Sequence, residues 1–182
     1  VLEVSSGEVV VRAAERVSAY SGESVSLSTQ DVDVSAGGSV SAFAGESARL
    51  VSGRVSLTAA ESLHVSTGSS GSLGFRTGSL GVAADGEVSV SSSEDVSVAG
   101  RSVSVSSAED VDVSSGSALR LSSGGEIGAV SGAGVVGRVG ESLDVVAGGV
   151  SVSSASTVDV TGGSMSVASD GDVTGYATGG VS

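Results

Sequence analysis

Apolar residues recur along this chain in pairs two positions apart, and the pairs follow one another every seven or eight residues. The clearest run is Val103 to Gly124, VSVSSAEDVDVSSGSALRLSSG, where serine, glycine and acids separate Val103/Val105, Val111/Val113 and Leu119/Leu121. Two-residue spacing puts both side chains of a pair on one side of an extended strand. The polar segments between pairs are too short for a helix but can turn a corner. The first members run Leu2, Val9, Val17, Val25, Val32, Val40, Ala48, Val55 and Leu63. They resume as Leu80, Val88, Val96, Val103, Val111, Leu119, Ile127, Val135, Leu143, Val150, Val158, Met165, Val173 and Val181. Every third pair returns after about 23 residues, or 24 between 103 and 143. A repeat of that length in three near-equal parts predicts an all-β fold, a β-helix with three flat faces.

Taken in order, residues 1–65 form a first regular shaft block, 66–79 an irregular turn or bulge within the shaft, and 80–182 a second regular block. Leu2/Val4 is the opening pair, and the triple Val9, Val10, Val11 leaves its own register open. Tyr20 and Phe43 each follow a pair by one residue, so alternation turns them outward. In STGSSGSLGFRTGS, residues 66–79, Leu73 and Phe75 are expected to supply the missing pair, with the extra length taken up by a wider turn or bulge. The glycine-dense stretch IGAVSGAGVVGRVG, 127–140, is expected to loosen the pattern. A small inward residue such as Ser107, Ser115 or Ser123 closes each face, and glycine in the turns is suited to unusual backbone angles. A chain that opens on Val1 and stops at Ser182 in mid-pattern is expected to be a segment of something longer.

Composition sharpens this picture. Proline is absent, so every strand residue can donate its amide to a ladder. Cysteine is absent too, which removes disulfides and thiolate metal sites. The regularly placed Val/Leu content and a mean hydropathy of +0.34 set the chain apart from a disordered Ser/Gly tract. No apolar run reaches the length of a membrane-spanning helix, and no signal peptide is present, so membrane insertion within this segment is not expected. A net charge of −13 without basic clusters argues against nucleic-acid binding.

Two closed architectures fit the period. A single-chain β-helix stacks residue i on i+23 and stands about 40 Å tall over eight turns. An interlaced trimer climbs three layers per turn, so the same residues span on the order of 115 Å. Valine side chains fill a 23-residue coil poorly, and voids cost stability. The V-x-V units with Gly/Ser corners resemble the triple-stranded β-helical needles of contractile phage tails and the valine-glycine repeat spikes of type VI secretion. The segments Glu141–Gly148, ESLDVVAG, and Ser62–Val65, SLHV, resemble the repeat portion of sarcoglycan ectodomains. These resemblances imply an interlaced, triple-stranded β-helix, with self-association or closely similar chains in the trimer and end-to-end continuation of the shaft.

The chemistry-bearing residues add little. His64, the only histidine, lies between Leu63 and Val65 and is expected to face solvent. There is no G-x-S-x-G elbow and no phosphate-binding loop. Glu15, Glu23, Glu46, Glu61, Glu94, Glu109 and Glu141 each precede an apolar pair by two residues, at the corner entering a strand. Carboxylates and carbonyls there could bridge through calcium, but a solvated acidic surface that keeps shafts apart is the preferred reading. No catalytic, cofactor-binding or metal-binding residue is assigned. The expected function is therefore a non-catalytic structural shaft in an extracellular or cell-surface filament, spike or membrane-associated complex. An intracellular scaffold satisfies the same physics. Alternatives are an adhesin or secreted surface passenger whose binding head lies elsewhere, and a single-chain β-helix enzyme acting on polysaccharide.

Overall fold

The structure is a computed structural model that describes residues 2–182, with side chains from Gly7 onward. Val1 and the inward assignment of the Leu2/Val4 pair lie outside the described residues. Strands run parallel throughout, each paired with the strands one turn before and after it, and no helix occurs among the described residues. Val103 pairs with Leu80 of its own chain, Val111 with Val88, and Leu119 with Val96, a return of 23 residues in each case. From Val103 to Ile127 and from Leu119 to Leu143 the return is 24. The protein is a parallel β-solenoid.

Three faces make up each layer. The third is a sheet of 8 strands, from Val17–Ser21 through Leu63–Thr67 and Val111–Ser115 to Gly180–Val181. The first and second faces share a 12-stranded sheet. In the early layers one long strand, such as Val25–Ala36 or Ser47–Ala59, covers both faces and turns the corner at Gln30 or Gly53. Later layers split it in two, as in Val96–Gly100 followed by Ser102–Ser107. The corner residues Arg101 and Gly125 then remain tied by an Arg101 carbonyl to Gly125 amide bond of 2.7 Å.

Alternation decides what is inside. The first member of each pair is buried from Val32 to Leu143, except Ala48, which is half-buried. Second members such as Val105, Val113 and Leu121 pack against that core half-buried. In the open triple, Val9 pairs with Val32 and Val11 with Val34, which leaves Val10 pointing outward. Leu73 and Phe75 do fill the missing pair, at 2% and 8% exposure. The two extra residues go into a wider turn at 68–71, closed by the Gly71 amide on the Gly68 carbonyl.

Three sequence expectations need correction. Residues 127–140 do not loosen: Glu126–Ser131 and Val135–Val139 keep full register with both neighbouring layers. Ladder hydrogen bonding there is indifferent to side-chain size. No described glycine has positive φ, so corner glycines are present for space and not for unusual backbone angles. At Gly45, Gly116, Gly132 and Gly140 a Cβ would overlap the carbonyl oxygen of the layer below. Finally, Met165, Val173 and Val181 occupy inward slots yet are 59%, 58% and 62% exposed. Their layer has a paired neighbour on one side alone.

Candidate functional site

Serines close the corners from inside. Ser107, Ser115, Ser123, Ser131 and Ser154 are all buried. The Ser123 hydroxyl donates to the Arg101 carbonyl of the layer below at 2.8 Å and accepts from the Gly125 amide at 3.2 Å. Ser131 repeats the device, its one hydroxyl proton placed between the Glu109 and Gly134 carbonyls while its oxygen accepts from the Ala133 amide. Buried hydroxyls thereby find partners in corner backbone groups that the layers already pair with one another, as the Gly125 amide does with the Arg101 carbonyl and the Ala133 amide with the Glu109 carbonyl. They act as structural staples between successive layers.

Outward rows carry the charge. Glu15, Glu23, Glu46, Glu61, Glu94, Glu109 and Glu141 are exposed at corners, as alternation and spacing required. Glu23 and Glu46 do lie in adjacent layers, joined by a 2.8 Å backbone bond. At other positions a serine one layer down faces the acid: Ser39 donates to Glu61 at 3.0 Å and Ser117 to Glu141 at 3.2 Å. Arginines bridge layers on the faces, Arg12 to Asp33 at 3.0 Å and Arg138 to Asp112 at 3.1 Å. These pairs are largely solvent-exposed, where such contacts contribute about 0–1 kcal/mol each. Among the described residues no three His, Asp or Glu side chains converge in a way that could hold a metal ion. His64 is exposed, with Ser41 and Ser89 beside it in the ladder, and has no hydrogen bond or ion pair among the described residues.

Tyr20 and Phe43 are outward, as expected, but they are not isolated. They pair directly in the ladder, and their rings stack at 5.2 Å between centroids and 12° between planes. The 23-residue spacing of the two aromatics held that signal.

The interior shows the poor filling expected of valine in a 23-residue coil. Two voids lie along the coil axis, one of about 250 Å³ and one of about 190 Å³. Leu57, Val65 and Phe75 line both. These three come from the second, third and first faces respectively, so one side chain from each face borders both voids. Small residues in inward slots enlarge the voids, Ala48 in a first slot and Ala42 in a second in the larger, Ala129 and Gly137 in second slots in the smaller. Alanine and glycine where the pattern asks for valine were the available signal.

No family model matches the chain, and comparison with curated proteins and with solved structures likewise finds no match. The class of protein is thus defined by its fold, a parallel β-solenoid with a 23-residue turn.

Proposed function

We propose that this chain is a structural shaft: a non-catalytic rod segment of a filament, spike or membrane-associated complex at the cell surface or outside the cell. The observation that carries the reading is the unbroken ladder, in which one cross-section repeats from layer to layer through both long sheets. Sequence is spent on keeping that cross-section constant, and exposed acids at the corners keep neighbouring rods apart. The resemblance to phage needles, type VI spikes and sarcoglycan repeats supports the same role. Imaging the parent assembly with a label on exposed Ser104 tests it: labels along a rod support a shaft. A compact particle with a saturable polysaccharide or receptor pocket overturns it, in favour of the enzyme or adhesin reading.

The same reading extends to assembly as an interlaced homotrimer or a heterotrimer of similar chains. That arrangement keeps the period but takes ladder partners from neighbouring chains, where Val103 here has Leu80 of its own. A native mass of three chains, with a rod on the order of 115 Å long, supports interlacing. A stable monomer with full β content, about 40 Å long, sinks it.

A further inference from the structure

We propose that the axial core is a binding channel for unbranched alkyl guests, held in two compartments separated by Phe75. The outline of a three-faced, 23-residue turn is set by the backbone, and valine and alanine side chains are too short to meet on its axis. What remains is a void stretched along the coil. The larger compartment runs from the layer of Val17 to that of Phe75, four layers or about 14 Å at the strand spacing. The smaller runs from the layer of Leu57 to that of Val160, five layers or about 19 Å. Both are long and narrow, a shape that fits a linear chain better than a branched or ring-shaped one.

The walls give the chemistry. Valine, leucine, alanine and phenylalanine side chains dominate both compartments. Polar side chains enter the lining at Ser41 and Arg49 of the larger compartment alone, and alternation turns both outward, between Val40 and Ala42 and between Ala48 and Leu50. Water needs two to four polar partners to occupy a cavity, and here it would find none free. Apolar cavities of about 150 Å³ stay dry and take up benzene or xenon. At about 250 and 190 Å³ both compartments exceed that size. A hydrocarbon guest restores the dispersion contacts that the facing side chains lack.

Phe75 decides how the channel is divided. It is the one aromatic ring in an inward slot, 8% exposed, and it lies at the boundary with Leu57 and Val65. A guest therefore occupies one side of the ring or the other. This binding does not depend on the shaft role.

The test uses the whole chain, with n-hexane as the solution probe and xenon as the crystallographic one. Hexane at increasing activity is expected to raise the melting temperature saturably. Filling both compartments with Ala42→Val, Ala48→Val, Ala129→Val and Gly137→Ala is expected to abolish that rise. Xenon-pressurised crystals of the unaltered protein are expected to show density on both sides of the Phe75 ring. In Phe75→Leu crystals, where less volume divides the axis, the two xenon sites are expected to approach each other. No saturable rise with hexane overturns the proposal, as does a rise that survives filling. Should the filled variant fail to fold, the xenon crystals decide alone: sites flanking Phe75 support the channel, and ordered water or no density in the voids overturns it.

Discussion

A methyl group at position 116 would overlap the carbonyl oxygen of Ser93, one layer below, because the corners of successive layers stack backbone on backbone. At position 137 the same methyl would meet Val160 side-chain carbon at 3.6 Å, an ordinary contact, beside the smaller void. Two glycines of one sequence thus respond oppositely. Gly116→Ala is expected to destabilise by about 1–3 kcal/mol through overpacking. Gly137→Ala is expected to stabilise by about 0.4–1 kcal/mol, since it restricts the unfolded chain and adds hydrocarbon to a void. Denaturant titration of the two single variants checks both signs. Asp112 gives a third test at this scale. One carboxylate oxygen accepts from Arg138 at 3.1 Å, while the other is covered and has no partner. Losing a partly exposed ion pair and relieving an unsatisfied oxygen act against each other. Asp112→Ser is therefore expected to change stability by no more than about 1 kcal/mol, and a larger loss in thermal melts would show that the pair with Arg138 anchors this face.

At the scale of the strand, Val111–Ser115 depends on its alternation. Val111 is 2% exposed and Val113 packs partly buried beside it, with partners Val88 and Val135 in the layers on either side. Placing Asp at both positions would put two unpaired charges into hydrocarbon, which no neighbouring group offsets. The double variant Val111→Asp, Val113→Asp is expected to lose its β-sheet circular dichroism, and retention of the parent melting temperature would show the inward assignment to be wrong. On the outside of the same sheet, Tyr20 and Phe43 stack across adjacent strands. A double-mutant cycle with Tyr20→Ser and Phe43→Ser is expected to give a coupling of about 0.5–1.5 kcal/mol. Additive effects would mean that the rings do not hold each other in solution.

At the scale of the whole molecule, no layer can stand alone. Each borrows its hydrogen bonds and half of its packing from the layers beside it, so stability is a sum over neighbours. The last described layer makes the point: Met165, Val173 and Val181 sit in core positions and remain exposed because stacking reaches them from one side. The axial voids act at the same scale. They follow from the circumference of the turn and the shortness of valine, not from any one residue. Here the coil closes on its own chain, Val103 on Leu80, so the proposed interlaced trimer requires those ladders to be made between chains; on that proposal sedimentation is expected to give a three-chain mass, and a stable one-chain rod overturns it.

The all-β solenoid, its three faces, its 23-residue return and the slip to 24 near residue 103 were determined by sequence alone. Side-chain alternation and hydrophobic spacing are local properties, and a ladder copies them faithfully from layer to layer. The outward placement of His64, Tyr20, Phe43 and the corner glutamates was legible for the same reason. Tertiary structure decided the rest. The sequence places Gly116 at a corner and Gly137 in a strand slot, but what a methyl would meet at each depends on which atoms the neighbouring layer places opposite it. The regularity of 127–140 came from backbone pairing that the side-chain pattern does not display. Phe75 was legible as half of the missing pair, and the coil places it where it lines both voids. That placement exists because Leu57 and Val65, on the two preceding strands, approach the axis from the other two faces within one turn of Phe75.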